Sequence, residues 1–260
     1  MRELGINLQA VKGLTDEEYF KTMASVGFST TFSGVLTSER QVETAKLSEK
    51  YGIRFETLHA PFNRINNMWL DNPEGDETLA DLMHCIDHCV IAGASIAVVH
   101  LSSGMTPPSI TDLGRDRFAR LVEYAAGKQV KIAFENQRML ANLAWAMEAF
   151  PGDPVGFCWD CGHEQCFTPG RRYMPLFGNR LICTHLHDNT CVFNEDSHFL
   201  PYDGLGDFDY VAEALRKSGY TGSLMLEMVN KERYSAMDPY AFLELAYASV
   251  DRLRQNIDGE

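Results

Sequence analysis

The sequence predicts a single (β/α)8 barrel of the TIM type, an α/β fold with one domain over residues 1–260, and three observations carry that prediction. Eight short apolar, β-branched runs alternate with amphipathic helical patterns. Eight such units give one per roughly 32 residues, the spacing of this barrel. Six of the eight histidines fall at the end of a predicted strand or in the loop after it, the rim on which barrel active sites sit.

In chain order the expected strands are ELGINL (3–8), FSTTFSG (28–34), RFETLHA (54–60), SIAVVHL (95–101), KIAFENQ (131–137), VGFCWD (155–160), LICTHLHD (181–188) and SLMLEM (223–228). Several are continuous apolar runs, as strands buried on both faces require. Capping-type residues followed by acids open helices at Thr15-Asp-Glu-Glu, Ser38-Glu-Arg and Thr111-Asp. Pro169, Gly170 and Pro175 crowd the sixth connection, so a regular helix is least expected there. Two connections exceed the usual length: Pro61 to Pro73, and Asn189 to Gly206. Both follow strand C-termini and are placed to act as lids.

Composition narrows the function classes. With 23 basic and 36 acidic residues the net charge is −13, which opposes non-specific nucleic-acid binding. No apolar run approaches the roughly 18–20 residues of a membrane span. The N-terminal MRELGINLQA lacks the apolar core of a signal peptide. Seven scattered cysteines suit a reducing, cytoplasmic setting better than a disulfide framework. A small-molecule substrate is expected, with no nucleic-acid or membrane partner, and a homo-oligomer is compatible.

Barrel closure would gather His59, His100, Glu135, Asp160, His163, His185, His187, His198 and Glu227 around one mouth. A carboxylate-rich shell with imidazole suits a divalent ion: Mn, Mg, Co or Zn. Leaving these groups buried without partners would be costly. Glu135 and Glu227, on the fifth and eighth strands, are candidates for a paired acid and base acting next to a carbonyl. His59 and His100, ending adjacent strands, could hold a second ion, and Asp160-x-x-His163 could serve metal and substrate together. Phe62 and Trp69 are candidates to cover a sugar face. Cys158-x-x-Cys161 continuing to Cys166 overlaps that motif without a fourth sulfur and is read as core, as are His84 and His88 on their helix. Gly204-x-Gly206 does not lead from strand to helix and carries no cofactor meaning.

The ordered set H59-A-P, H100-L-S-S, E135-N, D160-C-G-H163, H185-L-H-D188, D196-S-H198 and E227 resembles the xylose-isomerase-like superfamily over essentially the whole chain. That group includes sugar-phosphate isomerases and epimerases, ketose 3-epimerases, hydroxypyruvate isomerase and endonuclease IV. The resemblance implies one metal held by Glu135, Asp160, His185 and Glu227, with His187 behind it or at the rim and His163 on substrate oxygens. It implies a metal-dependent isomerase or epimerase of a small sugar, sugar phosphate or related polyol derivative. The proton would pass through a cis-enediolate with the two glutamates as acid and base. Ketose 3-epimerases carry an arginine and a glutamate where this chain has Cys191 and Ala141. The alternative is a multinuclear zinc phosphodiesterase resembling endonuclease IV, whose three-zinc ligands match His59, His100, Glu135, Asp160, His163, His185, Asp196, His198 and Glu227.

Overall fold

Alternation along the strands decides what the barrel encloses. The computed structural model describes residues 1–8, 10–229 and 232–259, without the side chain of Glu232. Its strands are β1 (Leu4–Ile6), β2 (Thr30–Gly34), β3 (Arg54–His59), β4 (Ile96–Val99), β5 (Lys131–Glu135), β6 (Val155–Asp160), β7 (Leu181–His185) and β8 (Leu224–Leu226). All are parallel, in the order β7-β6-β5-β4-β3-β2-β1-β8. The ring closes where Leu186 bridges Leu226. The predicted barrel is therefore the observed one.

The helices are α1 (Asp16–Val26), α2 (Ser38–Tyr51), α3 (Pro73–Ala92), α4 (Asp112–Gly127), α5 (Leu140–Ala149), α6 (Cys161–Phe167), α7 (Met174–Phe177), α8 (Phe208–Ser218) and α9 (Pro239–Asp258). Thr15 and Glu18 form a reciprocal capping box on α1, and Thr111 caps α4. Thr37, not Ser38, caps α2; its side chain accepts the Arg40 N–H. The proline-crowded sixth connection breaks into two short helices, α6 and α7, with Pro169 and Gly170 between them. Among the described residues, no helix is long and apolar enough to cross a membrane.

Successive strand residues point to opposite faces. Phe134, Phe157 and Trp159 pack outward into the main core under the helices. Ile96, Val98, Ala133, Cys158 and Cys183 form a separate small core. These are the inward positions of β4 to β7. Two residues further along, the same faces carry His100, Glu135, Asp160 and His185. The polar groups thus sit directly on an apolar floor at the C-terminal mouth.

Five of the predicted strands ran two or three residues past the observed ends, at Ile6, Val99, Glu135, His185 and Leu226. There the backbone leaves the ladder to present site residues. The Asn136 side chain bridges this gap between β5 and β6: it donates to the Asp160 carbonyl and accepts the Asp160 N–H, both at 2.8 Å.

Candidate metal centre

Glu135 is the hinge of the site. It is fully buried, and its two oxygens face different neighbours. Oε1 lies 2.7 Å from His185 Nδ1, while Oε2 lies 2.5 Å from His100 Nε2 and 3.5 Å from His59 Nε2. Glu227, one residue beyond β8, brings Oε1 to 3.6 Å from the same His185 nitrogen. Phe32 stacks on the His185 ring with centroids 4.6 Å apart and fixes its plane.

A second group forms around Asp160 and Asp196. Asp160 accepts the His163 N–H at 2.6 Å as the cap of α6, and one of its oxygens lies 3.1 Å from His187 Nε2. His163 spans the two acids, Nδ1 being 3.5 Å from Asp160 Oδ2 and Nε2 3.5 Å from Asp196 Oδ2. His198 Nε2 lies 2.9 Å from Asp196 Oδ2. His187, expected behind the site or at its rim and a candidate for substrate or an additional ion, is fully buried and stacks 3.9 Å from His198. The short contacts of Asp160 are to His163 and His187, so it belongs to this second group.

The donors fit divalent cations. His59 Nδ1 lies 2.8 Å from the Ala60 carbonyl and His198 Nδ1 lies 2.9 Å from the Glu227 carbonyl. An N–H donated there fixes each tautomer and aims Nε2 at a carboxylate, the usual support of a metal-binding histidine. Donor atoms of His59, His100 and Glu135 lie within 4.8 Å of one another, as do those of His59, His185 and Glu227, of Asp160, His163 and His187, and of His187, Asp196 and His198. Cys158 also lies within that distance of Glu135 and His185, but burial pushes its thiol well up, which makes it a poor ligand.

Charge in the metal-free protein is strongly polarised. Burial opposes ionisation throughout, yet His100 and His185 hold Glu135 well below the usual carboxylate range. Against the same burial, Glu227 and Glu135 push His185 up to about 10, and Asp160 and Asp196 do likewise for His163. His163 and His198 hold Asp196 below the usual range, again despite burial. His100 goes the other way because burial outweighs Glu135. His198 is likewise pushed up by Asp196 and Glu227 against burial, so His163, His185 and His198 carry the positive charge facing these carboxylates.

The loop 189–206 delivers Asp196 and His198. Four of the five described non-glycine residues with left-handed backbone lie in it: Cys191, Asn194, His198 and Tyr202. Asp188 pins it, accepting N–H groups from Gly204 at 2.9 Å and Gly206 at 2.8 Å. A Cβ at Gly206 would stand 2.6 Å from the Asp188 carboxylate, so the glycine pair serves this approach. Gly162 does the same for His187, since a Cβ there would fall 2.0 Å from the ring. Gly162→Ala is therefore expected to cost about 1–3 kcal/mol of stability. It should weaken metal binding at the second group more than at Glu135. Denaturant unfolding and metal titration check this, and unchanged values would mean that His187 moves freely.

Sequence reasoning missed Gln137, whose amide nitrogen lies 3.2 Å from Glu135 Oε2 and 3.0 Å from His163 Nδ1. Its signal was present, because it follows Glu135 by two residues on the same face. Phe62 fits its expected place: it is 43% exposed and stacks 4.5 Å from His100. Trp69 does not. It is 1% exposed, packs on Phe118 and Trp145, and donates its indole N–H to the Leu101 carbonyl at 2.7 Å. The 3-10 turn Ile65–Trp69 turns it into the wall. Trp69→Ala should cost about 3–5 kcal/mol with little effect on KM; the reverse pattern would return it to the mouth.

A cavity of about 500 Å3 opens over these groups, lined by His59, Phe62, Glu135, His163, Asp196 and Glu227 among others. Residues 20–254 match the family described as xylose isomerase-like TIM barrel. Uncharacterized protein y4fM of Sinorhizobium fredii is 33% identical over 140 residues, 54% of this chain and 42% of that relative, so the chain spans less than half of its length. D-psicose 3-epimerase from Clostridium cellulolyticum H10 superposes with TM-score 0.80 at 14% identity, covering 98% of this chain and 99% of the other. The 3-keto-D-glucoside 4-epimerase of E. coli gives TM-score 0.76 at 18% identity, covering 98% and 100%. At these identities the superpositions show the fold.

Proposed function

Because the chain belongs to the xylose isomerase-like TIM barrel family, we propose that it is a divalent-metal-dependent isomerase or epimerase of a small sugar, sugar phosphate or related polyol derivative. The observation that carries this reading is the convergence of Glu135 and Glu227 on one nitrogen of His185, 2.7 and 3.6 Å away. Two carboxylates converging on one point suit removal of a proton from carbon and its return elsewhere. The epimerase named in each of the two structural superpositions supports the same class of chemistry.

A bound Mn, Mg, Co or Zn ion, held by Glu135, His185 and Glu227 with Asp160 close by, would polarise the substrate carbonyl and steady negative charge. Glu227 has a partly open side chain and reaches the cavity, so it is placed to take the proton from carbon. Glu135 is placed to return it. His163 and His59 line the cavity within reach of substrate oxygens, and Phe62 offers a face to the apolar side of a sugar. The screen that tests this is metal-supplemented turnover of ketoses, aldoses and their phosphates, with solvent-proton exchange followed by NMR. Exchange into a carbon-bound position is expected; its absence on every sugar would remove the reading.

One observation favours a second reading. Glu135 shares its oxygens between two histidine groups, and Asp196, His198, His163 and His187 make a third. Such an arrangement suits several closely spaced ions, as in a multinuclear phosphodiesterase. Counting metals by mass spectrometry separates the two. Three tightly held zinc ions with cleavage of abasic DNA would favour the second reading, and a single ion the first.

A further inference from the structure

The substrate-facing cavity carries four kinds of group already used: carboxylates, imidazoles, Gln137 and Phe62. It also holds one that the chemistry above does not use. Among the described residues lining it, Arg138 is the single arginine or lysine. Arg138 is built into place rather than waving in solvent. Its guanidinium carbon lies 3.6 Å from the centroid of the Phe167 ring, and Phe167 in turn stacks on His163 with centroids 4.5 Å apart. Two groups that close cannot share one ring face, so Arg138 and His163 sit on opposite sides of Phe167. The position of the guanidinium relative to the candidate centre is thereby fixed.

Its hydrogen bonds are incomplete. Nε and Nη2 both donate to Asn194 Oδ1, at 3.0 and 2.5 Å. Asn194 is anchored through its own N–H to the Cys166 carbonyl at 2.8 Å. Of the five guanidinium N–H groups, three have no acceptor among the described residues. A neutral amide oxygen satisfies none of the cation's charge. A guanidinium with spare donors in a fork matches the paired oxygens of a carboxylate or phosphate better than a lone hydroxyl. The rest of the cavity carries Glu135, Asp196 and Glu227 beside the histidines, and among the described lining residues Arg138 alone offers a guanidinium fork to an anionic end of a ligand.

We propose that Arg138 is a specificity-determining residue that anchors an anionic terminal group of the substrate, a carboxylate or a phosphate ester, while the opposite end lies between Glu135 and Glu227. This rests on the isomerase reading for the reaction, not for the binding. The same anchor orders the ligand along the cavity, with the anionic end at Arg138 and the carbonyl end at Glu135 and Glu227.

The test uses the manganese-loaded protein and three ketoses that differ only at C6: D-fructose, D-fructose 6-phosphate and D-fructuronate. Calorimetry gives Kd for each with the unsubstituted protein, Arg138→Gln and Arg138→Lys. At least one anion is expected to bind about 10- to 100-fold more tightly than fructose, and which one identifies the group as phosphate or carboxylate. Arg138→Gln should abolish that difference and leave fructose unchanged, and Arg138→Lys should keep part of it. Equal binding of all three, binding of none, or an equal loss of all three in Arg138→Gln would overturn the proposal and leave Arg138 as a strap on Asn194. Solvent-proton exchange is read separately. If the binding difference persists without exchange on any ketose, the isomerase reading falls and the anchor stands.

Discussion

Glu227→Gln, assayed at saturating metal, lowers kcat by about 10²–10⁴-fold on whichever sugar the screen identifies, with a smaller loss of metal affinity than Glu135→Gln. The amide keeps the size and one oxygen of the carboxylate but cannot accept a proton from carbon. The substitution leaves the backbone intact, so the bond from the Glu227 N–H to the Leu186 carbonyl at 3.2 Å is kept. Its side chain is 16% exposed, against none for Glu135. Glu135→Gln is the instructive contrast. Glu135 faces His59, His100 and His185 together, so the same change there should also lower metal affinity and stability. Steady-state kinetics with metal content measured on the same sample checks both. Turnover of Glu227→Gln within tenfold of the parent, with metal still bound, would remove this residue from the proton transfer.

The two glutamates also show what the sequence could and could not reveal. Both were legible because each ends a predicted strand, and the alternation that hides Phe134 under the helices turns Glu135 inward. The barrel was legible for the same reason: eight apolar runs at regular spacing leave few ways to bury both faces. Strand ends were less legible. The alternation runs on through His100 and Glu227, but β4 ends at Val99 and β8 at Leu226.

Trp69 lies away from its expected place, and His187 meets Asp160 and Asp196 directly, for a shared physical reason. Their positions depend on turns whose geometry no periodicity encodes. A 3-10 turn swings Trp69 into the wall, and a close approach permitted by Gly162 draws His187 inward. The grouping of ligands was equally hidden. Residue types allow Asp160 to join Glu135 or His187, and only the α6 cap, in which Asp160 accepts the His163 N–H, decides which neighbours it meets. Gly204 and Gly206 read as an empty motif until Asp188 is seen to bind both amides.

The metal-free protein should be most stable between about pH 4.5 and 6.5, and its thermal midpoint should fall steadily toward pH 10. Glu135 and Asp196 are held low in the folded state, so their contribution is complete above the unfolded carboxylate value, near pH 4, and is lost only in acid. His163 and His185 are held high, at about 10. Their contribution is complete below the unfolded histidine value, about 6.5, and disappears as pH rises through 10. Metal reverses the trend over pH 6–8, because a ligand must give up its proton and affinity then rises with pH. At a hundredfold excess over Kd the ion adds about 2.7 kcal/mol, or roughly 5–10 °C in a chain of this size. Calorimetry at pH 7 in two buffers of different ionisation enthalpy then counts the protons released. Filling only the Glu135–His185–Glu227 group displaces about one proton, from His185, and filling the Asp196 group as well displaces at least about one more, from His163. The proton count therefore reports how many groups fill, independently of any activity. A metal that raises the midpoint without releasing protons would show that it binds elsewhere and that the histidines keep their charge.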